Sequence, residues 1–105
     1  GGVLMSYIDQ AGAIGARHEM QQRGHPPQTL VTVAMDRVEF HEPVFVGDTV
    51  SFWTEVERIG TTSITVHVTV ETDRAGTDQL LTQAHVTYVA VKTENNLRTP
   101  VPIVP

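Results

Sequence analysis

The chain has 105 residues, one domain's worth, so residues 1–105 are read as a single domain and a two-domain enzyme is excluded. Forty per cent of the residues are hydrophobic and 18% charged, a balance that folds and does not stay disordered. Seven Lys+Arg against twelve Asp+Glu give a formal charge of −5, a field that repels phosphate backbones and anionic lipid and argues against nucleic-acid or membrane partners.

From Val3 to about Gln22 the sequence has no proline, and Leu4, Ile8, Ala11 and Gly15 recur on one helical stripe. The middle of this predicted helix, Ala11 to Ala16, is unusually small, and each interior glycine costs about 1 kcal/mol relative to alanine, so something must approach the backbone closely. Gly24 ends the helix as a C′ residue, and Pro26-Pro27 keep it from resuming.

The period then changes from helical to alternating. Leu30 to Phe40 is rich in Val and Thr; Thr49 to Ile59 sets Val50, Phe52 and Val56 against Ser51, Trp53, Glu55 and Glu57. Ile64, Val66, Val68 and Val70 alternate with Ser63, Thr65, His67 and Thr69, and Leu80 to Lys92 places Ala84, Val86, Tyr88 and Ala90 on one face. Gly47-Asp48, Gly60-Thr61 and the stretch 73–78 punctuate these runs. The tail from Arg98 has three prolines in its last six residues and reads as an extended surface strap. One long helix followed by four long strands with short turns is an α+β order, an antiparallel sheet with the helix on one face. A core of this size buries only about 65% of the unfolded chain's surface, so stability leans on assembly.

Several chemistries have no support. There is no Gly-x-Ser-x-Gly elbow, phosphate loop or His-Glu-x-x-His, and no cysteine for thiolate catalysis, disulfides or a cluster. The absence of cysteine fits a reducing cytoplasm, and no apolar run approaches the roughly 20 residues of a membrane-spanning helix. The five histidines lack metal spacing on one element; His67 reads as solvated and His85 as a packed sheet residue, although the two could meet in space. Trp53 and Phe45 read as core or interface packing residues, Asp36 as a strand-surface acid, Asp48 as a turn residue and Glu42 as structural. Gly24-His25-Pro26-Pro27 has the look of a hydroxyacyl dehydratase segment, but there the histidine precedes the long helix.

The acid singled out is Asp9, beside the apolar stripe and with no basic residue three or four positions away. Such a carboxyl, if buried, suits a general base or nucleophile; an exposed helical Asp is the bland alternative.

The segments Gly1-Gly-Val-Leu-Met-Ser-Tyr-Ile-Asp9, Thr32-Val-Ala-Met-Asp36, Phe40-His-Glu-Pro-Val44, Val46-Gly-Asp48, Glu57-Arg-Ile-Gly60, Thr87-Tyr-Val-Ala-Val91 and Arg98-Thr-Pro-Val-Pro102 together resemble acyl-CoA thioester hydrolases of the YciA type. The resemblance implies a hotdog fold, in which an antiparallel sheet wraps one long central helix, with a first strand and an Asn-bearing loop ahead of Gly1. It further implies hydrolysis of acyl-CoA to a fatty acid and coenzyme A at a dimer interface, dimers assembling into a hexamer. Asp9 would be general base or nucleophile, and the Gly2 and Val3 N–H groups would be donors to the thioester oxygen. Arg58, Gly60, Thr62, Ser63 and Arg98 would hold the coenzyme, which is part of the substrate; no separate cofactor or metal is implied. A non-catalytic hotdog module that binds acyl-CoA or serves as an assembly subunit is the alternative.

Overall fold

A computed structural model describes residues 2–103, so Gly1 and the last two positions lie outside the described residues. The small-residue helix forms as α1, Gly2–Gln22. It is followed by β1 Thr29–Phe40, β2 Val50–Ile59, β3 Ser63–Arg74, β4 Thr77–Glu94 and β5 Leu97–Pro100. Gly24 takes a positive φ of 76°, its N–H bonds the Gln21 carbonyl and the His25 N–H bonds that of Met20. This pair of bonds is a Schellman cap, as the glycine position leads one to expect.

All strand pairs are antiparallel, in the order β1-β4-β3-β2. β5 pairs with the far end of β4, continuing the line of β3. Because β1 and β2 lie at opposite edges, residues 41–49 carry the chain from one edge to the other. Two devices hold that connection. His41 and Glu42 donate backbone N–H groups to the Leu81 carbonyl, and Arg74 Nη2 donates to both Pro43 O and Asp48 Oδ2 at 2.7 Å. Asp48 also accepts from the Phe45 N–H, and the Arg74 guanidinium lies 4.9 Å over the Phe45 ring.

The core follows the alternation read from the sequence. Ile64, Val66, Val68 and Val70 of β3 and Ala84, Val86, Tyr88 and Ala90 of β4 are buried under Ile8, Ala16 and Met20 of α1. The two glycines in the middle of the helix are where the sheet comes closest: a Cβ on Gly12 would overlap the Tyr88 hydroxyl, and one on Gly15 would overlap the Thr54 side chain. A helix with a bulkier middle would stand off the sheet.

The structure differs from the sequence expectations in three places. The tail is no mere strap: residues 97–100 pair with β4, Ile103 is fully buried, and its N–H bonds the Thr61 carbonyl. Of the two packing readings for Trp53 and Phe45, core and interface, only the core is excluded, since both are largely exposed in the single chain. His67 is not simply solvated; it stacks on His85 at a centroid distance of 4.7 Å and bonds Gln83, because directly opposed residues of β3 and β4 share a face.

Gly12→Ala should lower thermal stability despite alanine's better helix propensity, since overpacking costs about 1–3 kcal/mol and the propensity gain is about 1 kcal/mol. Tyr88→Phe in the same chain should recover part of the loss; a raised melting temperature for Gly12→Ala would contradict the packing described. Arg74 holds the Asp48 carboxyl below the usual carboxylate range, chiefly through its hydrogen bond, with the Phe45 N–H second. A depressed folded-state value means a contribution that is full above the ordinary carboxylate pKa and lost as pH falls through the lower, folded one. Arg74→Met should therefore flatten the stability profile below about pH 4, as measured by denaturant melts across pH.

Candidate active site

Asp9 lies two turns into α1, on the flank that faces β1. Its side chain is half-buried, and Thr32 Oγ1 donates to Asp9 Oδ1 at 2.6 Å. Its main chain is held as well: Tyr88 Oη donates to the Asp9 carbonyl oxygen at 2.6 Å. Thr32 and Tyr88 are directly paired across β1 and β4, so one cross-strand pair grips both ends of the residue. The register of β1 shifts between Thr32 and Ala34, immediately after the threonine, as bulges beside functional residues often do. Tyr88 itself is buried, and its phenol is pushed well above the ordinary tyrosine value, first by burial and next by the nearby Asp9 charge. It therefore stays a neutral donor at any pH a cell meets.

Thr32 is exposed in the single chain and Asp9 is half-buried, so the carboxylate carries a hydroxyl on one oxygen and keeps partial exposure. The partner of Asp9 is a residue the sequence reading missed. Thr32 stands in one of the quoted segments, but only the pairing of β1 with β4 reveals that it meets the helix.

Gly2 is the first residue of α1, so its N–H and that of Val3 are free of intrahelical partners. Seven residues separate Gly2 from Asp9, which is about 10 Å along a helix axis. The structure thus does not bring the candidate donors and the candidate base together within one copy.

Arg58, Gly60, Thr62 and Ser63 do come together, in and beside the β2–β3 turn, where the Gly60 N–H bonds the Ser63 carbonyl at 2.8 Å. A Cβ on Gly60 would press on the Ser63 hydroxyl. Ser63 pairs with Val89 and Ile64 with Tyr88, so this turn sits one residue beyond the row that grips Asp9. The Thr61 and Thr62 carbonyls are spent on Ile103 and Ala90. Arg98 lies apart from the turn residues in β5, exposed and paired with Thr93. Among the described residues no cluster of three or more His, Asp or Glu is arranged to hold a metal ion.

Residues 1–79 match the family model described as the thioesterase superfamily. The acyl-CoA thioester hydrolase YciA of Escherichia coli is 33% identical over 103 residues, covering 93% of this chain and 74% of that protein. An uncharacterized acyl-CoA thioester hydrolase of Zymomonas mobilis is 41% identical over 69 residues, 65% of this chain and only 42% of its own length, so the chain spans less than half of that relative. Among solved structures, a hexameric hotdog fold thioesterase of Campylobacter jejuni is 42% identical with a TM-score of 0.77, over 98% of this chain and 74% of that one. An acyl-CoA hydrolase from Staphylococcus aureus, in complex with butyryl coenzyme A and coenzyme A, is 29% identical with a TM-score of 0.78, over 99% and 59%.

Thr32→Val keeps the shape of the side chain but removes the hydroxyl on Asp9. Stability should stay within about 1.5 kcal/mol of the parent, the net worth of one such bond. The Asp9 side chain should spread over several rotamers, read from NMR side-chain couplings; a single unchanged rotamer would show that Thr32 does not hold it.

Proposed function

The chain belongs to the thioesterase superfamily and has the hotdog fold, and from that premise we propose that it hydrolyses acyl-CoA thioesters to a free fatty acid and coenzyme A. The observation that carries the reading is Asp9, a half-buried carboxylate fixed at side chain and backbone by Thr32 and Tyr88. Water donates a proton to Asp9 as its oxygen attacks the thioester carbon, giving a tetrahedral oxyanion. Collapse breaks the C–S bond; the sulfur leaves as a thiolate and takes the proton back from Asp9. Thr32 aims the carboxylate by occupying one oxygen and leaving the other for water.

The oxyanion needs donors about 3 Å away, as does the base, so both must converge on one reacting atom. With about 10 Å of helix between Gly2 and Asp9, one copy of α1 cannot supply both. The Gly2 and Val3 N–H groups then serve the Asp9 of a second copy, which makes the site a property of a dimer. The hexameric assembly of solved relatives supports further association, which we read as three such dimers. The turn of Arg58, Gly60, Thr62 and Ser63, one row beyond Asp9, is assigned to the coenzyme end of the substrate, with Arg98 as an anion partner. Coenzyme A enters as substrate and leaves as product, and the reading needs no resident cofactor or metal. No described helix is long and apolar enough to cross a membrane, and we place the reaction in the cytoplasm.

Release of free thiol from a series of acyl-CoA chain lengths tests this directly. Asp9→Asn should lower kcat by at least about 10²-fold with KM little changed, the pattern of a lost base. Unchanged turnover in that variant would refute the role of Asp9, and light scattering that shows only monomer would refute the shared site.

A further inference from the structure

The face of the sheet turned away from α1 carries a row of ionisable side chains that the proposed reaction does not use. Asp36 of β1 stands opposite His85 of β4, His85 opposite His67 of β3, and His67 opposite Glu55 of β2, so the two stacked imidazoles lie between two acids. His85 Nδ1 donates to Glu57 Oε1. Next to this row on the same face is Gln83. Its Nε2 lies 2.8 Å from Glu39 Oε2 and 3.2 Å from His41 Nε2, and its Oε1 lies 3.0 Å from His67 Nε2.

These contacts admit one consistent set of protons. A carboxylate only accepts, so the amide nitrogen of Gln83 faces Glu39 and the amide oxygen faces His67. That nitrogen has two hydrogens, one for Glu39 and one for His41, so His41 Nε2 is bare and its proton sits on Nδ1. The amide oxygen needs a donor, so His67 carries its proton on Nε2.

We propose that Gln83, His41 and Glu39 form an acid-sensitive clasp on the near end of the crossover 41–49. Proton uptake at His41 Nε2 sets an N–H against the amide N–H of Gln83. The amide cannot turn round to accept, because its oxygen would then meet the Glu39 carboxylate and its N–H groups the N–H of His67. His41 therefore lets go of Gln83 and leans on Glu39, 3.3 Å away, which attracts the new charge. The far end of the crossover responds differently. There Arg74, which stays charged, holds Pro43 and Asp48, and Asp48 ionises below the usual carboxylate range. As pH falls through the histidine range, about pH 8 to 5, the near anchor opens and the far one holds. The acids facing the row are Asp36 and Glu39 from β1 and Glu55 and Glu57 from β2, with Glu42 next to His41 on the crossover; β3 and β4 contribute His67 and His85 themselves. From α1 the uncharged Leu4 lines a cavity with His41, and Arg37 and Arg58, adjacent in sequence to Asp36 and Glu57, form no ion pair among the described residues.

The test is long-range 1H–15N NMR of the imidazole nitrogens in the whole chain, followed from alkaline pH down through the histidine range. At the alkaline end His41 should carry its proton on Nδ1, the less populated form in a free histidine side chain, and His67 on Nε2. As His41 gains its second proton, amide resonances of residues 40–42 should shift with it, and those of residues 46–49 less than about half as far. Gln83→Leu removes the constraint, and the alkaline proton of His41 should pass to Nε2, where Glu39 accepts it. Glu39→Gln, a change at an exposed side chain that leaves the core untouched, lets the amide turn and should lower the Nδ1–H population of His41 at least about twofold. A proton on His41 Nε2 in the parent at alkaline pH, a tautomer unchanged in both variants, or equal shifts at both ends of the crossover overturns the clasp. None of these readouts passes through Asp9 or thiol release, so this inference and the proposed hydrolysis stand or fall separately.

Discussion

The grip of one cross-strand pair on one helical residue organises this molecule. Thr32 and Tyr88 face each other across β1 and β4, and between them they hold the carboxylate and the carbonyl of Asp9. For the Tyr88 hydroxyl to reach a helix carbonyl, the helix must lie almost on the sheet, which is why Gly12 is a glycine. A neutral phenol is a dependable donor, kept so first by burial and then by the charge of Asp9. Packing and chemistry are thus one constraint: the contact that seats α1 also fixes the height and direction of its acid.

Much of this was legible in the amino-acid order, and the reasons are physical. The alternation of Ile64 to Val70 and of Ala84 to Ala90 has only one comfortable solution, two adjacent strands with one buried face. The Gly24 cap and the small stretch at residues 11–16 announced a helix that stops sharply and is approached closely. What could not be read was pairing at a distance. Nothing local says that β1 lies against β4 and not β2, so the Thr32 hydroxyl beside Asp9 stayed hidden, whereas the meeting of His67 and His85 was open from the sequence and only the register made it definite. The tail was misjudged for a related reason: proline content signals extended chain, but whether Ile103 covers a surface or fills a core depends on where β4 ends. Trp53 and Phe45 show the converse, since aromatic character favours burial while their positions in the single chain leave them exposed.

The single chain also displays what a partner would cover. Val3, Tyr7 and Ile14 are each more than half exposed on α1, at spacings that place them along one side of the helix. Among the described residues β1 pairs only with β4 and β2 only with β3, which leaves an open edge on each. Exposed apolar side chains and unpaired edges of this kind are the surface of a subunit. The proposed sharing of the site between two copies rests on the helix rise, which sets the acid and the helix-start N–H groups about 10 Å apart on one α1.

Subunit mixing examines that claim most directly. Gly2→Pro deletes one helix-start N–H at a position that tolerates proline, and Asp9→Asn deletes the base. Each variant alone should be inactive, whereas co-expression should restore about a quarter of the parental thiol-release rate, since half of randomly paired dimers are mixed and each then has one intact site of two. A co-expressed sample no more active than the single variants would show that one copy carries the whole site, and the account would fail.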